Sequence, residues 1–222
     1  MRAYVAEKNR INRLMKAAGI RPKQKRKFRP TTTISDPTHN GRIAPNHLAK
    51  FPTPDKPDQA WQSDITYIET KEGWLYLAGI IDTCSRKIVG YAFGNDLSTD
   101  LVLKALDRAC KHRKPERGLL YHSDRGCQYT SYEFQKRLTE AGLAASMSRR
   151  GNCYDNALQE SFWASLKAEC FGKLIPETKQ QAKLMIFNYI ETFYNKHRKH
   201  SSLGMKSPDQ FETLLAKKTN HN

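Results

Sequence analysis

Trp61-Gln62-Ser63-Asp64-Ile65-Thr66-Tyr67-Ile68 decides the fold. Its β-branched and aromatic residues mark a β-strand, and one acid, Asp64, stands in the middle. A carboxylate inside a strand is costly unless a partner compensates it, and a metal ion is one such partner. Two more acids fall at the ends of predicted elements. Asp124 follows the apolar run Gly118-Leu119-Leu120-Tyr121-His122-Ser123, and Glu160, with 35 residues between, lies on a helix predicted to begin near Asn156.

Working outward, Lys71-Glu72-Gly73 has the composition of a hairpin turn and leads into residues 74–81, a run apolar on both faces. A third strand at 87–93 completes an antiparallel meander. Ser98 is expected to cap a helix on which Val102, Ala105, Leu106, Ala109 and Cys110 share a face, and Pro115 closes it. Ser131 is expected to cap another, with Phe134 and Leu138 inward and Gly142 at its end; 143–147 is a short strand before a polar loop at 149–155. This order predicts a mixed α/β sheet covered by helices. If the strand ending at Asp124 runs parallel beside the one holding Asp64, both acids meet at one sheet edge, and the Glu160 helix closes over it.

Of 222 residues, 38% are apolar, enough for one good core with a small appendage. The net charge of +16 is uneven. Residues 1–30 hold 11 Lys or Arg against the single acid Glu7, which makes a basic arm suited to a polyanion such as nucleic acid, or else a solubilising tail. Residues 3–18 look helical, with Ile11, Leu14, Met15 and Ala18 on one stripe and Gly19 as the stop. Residues 31–58, rich in Pro, Thr, Asp and Asn, read as a linker, 59–215 as the core with C-terminal helices, and 216–222 as a tail. Five cysteines without a CxxC pair indicate reduced thiols and a cytoplasmic chain. No apolar run approaches the ~20 residues of a membrane span.

On a helical wheel Asn156, Glu160, Trp163 and Lys167 fall within about 60° of one another, while Leu158, Phe162 and Leu166 turn to the core. Three oxygen ligands with open positions suit Mg²⁺ or Mn²⁺. Two such ions, roughly 3.5–4 Å apart, would activate an attacking oxygen and stabilise a leaving one in phosphoryl transfer.

The blocks Trp61-Gln62-Ser63-Asp64-Ile65-Thr66-Tyr67, His122-Ser123-Asp124-Arg125-Gly126-Cys127-Gln128-Tyr129 and Asp155-Asn156-Ala157-Leu158-Gln159-Glu160-Ser161-Phe162-Trp163-Ala164-Ser165-Leu166-Lys167 resemble those of insertion-sequence transposases with a retroviral-integrase-type DDE core, in particular the second-frame subunit of such elements. Tyr194-Asn195-Lys196-His197-Arg198-Lys199-His200-Ser201-Ser202-Leu203-Gly204-Met205-Lys206-Ser207-Pro208 is similar as well. The resemblance implies a ribonuclease-H-like fold with a five-stranded mixed sheet, and Asp64, Asp124 and Glu160 as catalytic metal ligands. It implies that water and then a DNA 3′-hydroxyl attacks a phosphodiester, without a covalent protein intermediate. It also implies DNA partners, both element ends and target duplex, a homo-oligomer on that DNA, a partner subunit from an upstream frame, and a bacterial, nucleoid-associated location. Two rival readings are a ribonuclease-H-like nuclease or resolvase that only hydrolyses, and an inactive DNA-binding protein derived from a transposase.

Arg149 and Arg150 in the polar loop, Lys167, Asn156, and Lys25-Arg26-Lys27 of the arm are the expected DNA contacts. His122 is assigned a supporting role and Asp155 an N-cap rather than a ligand. The aromatics of 187–194 read as core, His197 and His200 as a pair lacking a third ligand, and Ser207 to Gln210 as a capping box. The opening helix resembles only the closing helix of the helix-turn-helix-like region that precedes such cores, so the chain is expected to begin partway through that region. The zinc module of retroviral integrases is not expected, because the first cysteine, Cys84, already lies inside the core.

Overall fold

The computed structural model describes residues 8–20, 43–149 and 156–219. The opening helix α1 spans Lys8–Ala17 and ends at Gly19 with φ +67°. Leu14 on its apolar stripe is 61% exposed, so no described residue covers that position.

The meander forms as its alternation predicts. Strand β1 (Ala60–Thr70) pairs antiparallel with β2 (Gly73–Asp82) from Trp61↔Asp82 to Thr70↔Gly73, and β2 with β3 (Ile88–Gly94). Beyond β3 come α2 (Thr99–Arg113), β4 (Leu120–Ser123), the single turn α3 (Cys127–Thr130), α4 (Tyr132–Glu140) and β5 (Ala144–Met147). Strand order is β3-β2-β1-β4-β5, with β1–β4 and β4–β5 parallel, so β1 is the central strand.

Because side chains alternate along a strand, Trp61, Ala78, Ile80 and Tyr121 share one face of the sheet. They pack with Val102 and Leu106 of α2 and Phe134 and Leu138 of α4. Gly90 lets α2 approach, since a Cβ there would lie 2.6 Å from the Ala105 carbonyl oxygen and 2.7 Å from the Ala109 Cβ. The opposite face carries Ile68, Leu77 and Ile81. It is covered by Phe162 and Leu166 of α5 (Ala157–Leu166), by Ile186 of α6 (Lys179–Asn188) and by Tyr194. A final helix, α7 (Pro208–Thr219), opens with the expected capping box: the Ser207 N–H donates to Gln210 Oε1 (3.1 Å) and the Gln210 N–H to Ser207 Oγ (3.3 Å).

Several expectations are corrected. Ser98 holds the N-cap position of α2 without accepting a hydrogen bond, whereas Ser131 does accept from the Phe134 N–H. The turn α3 was not expected. Residues 167–171 and 189–194 form π-type turns that shift the helical phase. Of the aromatics expected as core, Tyr189 and Tyr194 are buried while Phe187, within α6, and Phe193 stay exposed. The later part of the presumed linker docks on β5: Ser146 Oγ accepts from the His47 and Leu48 N–H groups, and the Met147 N–H donates to the Pro45 carbonyl. An otherwise open sheet edge is thereby covered. Asp58 pairs with Arg113, which also binds Glu212 of α7.

His200 is packed edge-on against Tyr194, and burial with the nearby Arg198 and Arg86 charges lowers its pKa to about 4. Neither His197 nor His200 belongs to a three-ligand group among the described residues. Cys84, Cys110, Cys127 and Cys170 are free thiols. No described helix is long and apolar enough to cross a membrane.

Candidate active site

The parallel register Ala60↔Leu120, Trp61↔Tyr121 and Gln62↔His122, continued two residues, brings Asp64 level with Asp124. The two acids meet where β4 stops and β1 runs on. The parallel pairing is the one expected, and it puts both acids at the end of β4, beside the central strand. By alternation, Asp64 shares the α5 face of β1 with Ile68.

Asp64 is shaped by burial first, which with the adjacent Asp124 charge pushes its pKa up to about 7. The Ile65 N–H and the Trp163 indole oppose that rise, and the Glu160 charge adds a smaller push. Trp163 Nε1 donates to Asp64 Oδ2 at 3.0 Å. Burial raises the Asp124 pKa as well, against the Gly126 N–H, which donates to Asp124 Oδ1 at 2.9 Å. Glu160 stands exposed on the first turn of α5.

Two carboxylates side by side, each with its ionised form disfavoured, make a place where a cation relieves repulsion. The donors are all oxygen and suit a hard divalent ion. Asp64 and Asp124 therefore fit such an ion, with Glu160 near enough for its charge to act on Asp64. No group of three His, Cys, Asp or Glu side chains is already closed into a metal cage among the described residues.

Lys167 Nζ lies 4.9 Å from the centroid of the Tyr67 ring, and burial, opposed by the Asp64 charge, lowers its pKa to about 8. Asn156 holds the N-cap position of α5 without a side-chain capping bond. Arg149 is exposed after β5. Lys25, Arg26, Lys27, Arg150 and Asp155 lie outside the described residues. His122 is fully buried with Nδ1 2.9 Å from Ser146 Oγ, which ties β4 to β5.

Sequence reasoning missed Gln159 and Tyr129 here, and the bond that Trp163, on its expected face, makes to Asp64. Gln159, fully buried, donates to the carbonyls of Gln62 (2.7 Å) and Gly79 (2.9 Å) and so pins α5 across β1 and β2. Trp163 faces Asp64, its indole lying over Gly79. Tyr129 is buried, its hydroxyl 2.9 Å from Ser63 Oγ, and backs the site from the other face. A glycine inside an otherwise apolar strand hinted at a close approach at Gly79; nothing local signalled Gln159.

Residues 54–153 match the family described as Integrase core domain, and 141–208 match a second family of the same description. The chain is 46% identical over 207 residues to the insertion element IS600 31 kDa protein of Shigella sonnei, covering 93% of this chain and 75% of that one. It is 41% identical over 198 residues to transposase InsF for insertion sequence IS3A of Escherichia coli K12, covering 89% and 68%. In fold it resembles the HTLV-2 integrase catalytic core domain solved in complex with magnesium, with TM-score 0.54 and 17% identity over 71% of this chain and 98% of that one.

Proposed function

We propose, since this chain belongs to the integrase core domain family of insertion-sequence transposases, that Asp64, Asp124 and Glu160 are the carboxylates on which its DNA cleavage and strand joining depend. The observation that carries the reading is the parallel pairing of β1 with β4, which sets Asp64 beside Asp124 at the end of a strand. Glu160 comes from α5, whose height over the sheet is held by the Gln159 amide on two sheet carbonyls.

Two Mg²⁺ or Mn²⁺ ions, when bound by these acids, supply activation of the attacking oxygen and neutralisation of the leaving one. The chain's own part is to hold the donors and grip phosphate. In cleavage, water adds to a phosphorus and the bond to the 3′-oxygen breaks, leaving a 3′-hydroxyl. In joining, that 3′-oxygen bonds to a target phosphorus while one target P–O bond breaks, so the number of phosphodiesters is conserved and no nucleotide is consumed. Lys167, Asn156 and Arg149 are proposed to hold DNA phosphates around the acids, with Arg150, Lys25, Arg26 and Lys27 extending that grip. We extend the proposal to a homo-oligomer on paired element ends, an upstream-frame partner subunit, and action in the bacterial cytoplasm at the nucleoid.

The test is incubation with pre-cut duplex carrying an element end, a supercoiled plasmid and Mg²⁺. Covalent joining of the end to the plasmid is expected. Nicking without joining would favour the hydrolytic nuclease, and Mg²⁺-indifferent binding without either product the inactive DNA-binding protein. A second expectation concerns the arm. Deleting residues 1–30, which carry a net charge of +10, should flatten the slope of log K against log salt for duplex binding by several units, since each phosphate contact contributes about 0.9. An unchanged slope in filter binding across a salt series would return the arm to a solubilising tail.

A further inference from the structure

Asp64 and Glu160 belong to different layers, a central strand and the helix above it, and something must set one against the other. α5 presents two side chains to β1 and β2 near the site. Gln159 binds backbone carbonyls and fixes the height of the helix. Trp163, one turn beyond Glu160, reaches a carboxylate: its Nε1 donates to Asp64 Oδ2 at 3.0 Å, committing one of the two carboxylate oxygens. Trp163 is 7% exposed, and its ring rests on Gly79, the cross-strand partner of Asp64. A Cβ on residue 79 would stand 2.6 Å from Trp163 Cη2 and 3.2 Å from Cζ2, so the seat exists only because residue 79 is glycine. Phe162, packed at 4.8 Å against the same indole, bounds it on the helix side.

We infer that Trp163 is a positioning residue, which, with Gly79 as its seat, orients the Asp64 carboxylate for a divalent cation and fixes the phase at which α5 offers Glu160. This inference rests on the reading of Asp64 as a cation ligand. The physical reason is that an unclasped carboxylate must be ordered when the cation arrives, whereas the indole holds one oxygen in place beforehand. The indole N–H is only a donor, so Trp163 acts through Asp64 rather than as a ligand itself.

The experiment measures Mn²⁺ binding to the full chain without DNA, from the free-ion paramagnetic resonance signal, for wild type, W163F, G79A, the double variant and D64N. Phenylalanine fills much of the same apolar seat and lacks the donor. W163F is expected to bind Mn²⁺ about tenfold more weakly, the lower range for loss of a hydrogen bond to a metal ligand. G79A, by displacing an otherwise intact indole, should weaken binding by a similar factor. The double variant should be no worse than W163F, because phenylalanine lacks the ring atoms that the new Cβ would meet; independent structural damage would instead multiply the two losses. Circular dichroism and melting temperature check that each variant is folded. Unchanged or tighter Mn²⁺ binding by W163F, or multiplied losses in the double variant, overturns the inference. D64N separates the layers: if it binds Mn²⁺ like wild type, the ligand assignment itself has failed, whereas weakened D64N beside unaffected W163F rejects only the role of Trp163.

Discussion

Asp64→Asn is expected to abolish both strand cleavage and end joining, with a rate loss of at least about 10³-fold, and Asp124→Asn and Glu160→Gln are expected to do the same. The size follows from the chemistry. A metal-assisted phosphoryl transfer draws several kcal/mol of transition-state stabilisation from correctly held cations, and every ~1.4 kcal/mol is a factor of ten. The amides keep the shape of each side chain but lose the charge and one acceptor oxygen. Duplex affinity should stay within about twofold or rise slightly, because counterion release by Lys and Arg drives it and the variants remove only negative charge. Pre-cut end joining and supercoil relaxation in Mg²⁺, beside filter binding of the same preparations, measure both quantities. A D124N protein that joins ends at the wild-type rate would remove Asp124 from the ligand set. Equal loss of binding and joining would mean that the acids support the fold, not the reaction.

The strands of this fold were legible because each is short, apolar and bounded by turn residues: the alternation through 61–70 and the apolar run of 73–82 needed no tertiary information. Asp64 and Asp124 were legible for the same reason, since a charge in a strand and a charge at a strand's end both violate the local pattern. What lay hidden depends on long-range contact. The indole of Trp163 sits on the expected face of α5, yet its bond to Asp64 requires an absent Cβ on Gly79, 84 residues earlier in the chain. Gln159 looked like any polar helical residue, although its amide is fully buried against β1 and β2. A constant 100° per residue also fails at the π-type turns at 167–171 and 189–194, and Phe193, within the second, is exposed beside the buried Tyr194. Ser146 gave no sign that its hydroxyl would receive the backbone of residues 47 and 48.

Without divalent cations, raising the pH from about 4 to about 7 should cost the wild-type protein stability relative to D64N, by at most about 4 kcal/mol. The Asp64 carboxyl has a folded pKa of about 7 against an ordinary 3.8, so the folded state holds its proton where the unfolded chain has released it. Its contribution is therefore fully present below the unfolded value and is lost as pH rises through the folded one. The carboxylate keeps some contact with solvent, which makes 4 kcal/mol a ceiling. His200 acts in the opposite sense, for its folded pKa of about 4 lies below the ordinary 6.5 and its contribution is lost as pH falls through that range. The two nearly cancel in the wild type between about pH 4 and 6.5, so only the difference between wild type and D64N isolates Asp64. Mg²⁺ offsets part of this loss. It binds the ionised carboxylates, so at ten times its Kd it should restore about 1.4 kcal/mol near pH 8, a rise of roughly 3–6 °C in melting temperature. Near pH 5 the proton on Asp64 competes and the increment should vanish, as it should at every pH in D64N. Thermal melts of both proteins across the pH series, with and without Mg²⁺, decide the matter. A difference curve that stays flat through pH 7 would mean that Asp64 is not the strained acid, and a Mg²⁺ increment equal at pH 5 and 8 would reject its proposed role as a cation ligand.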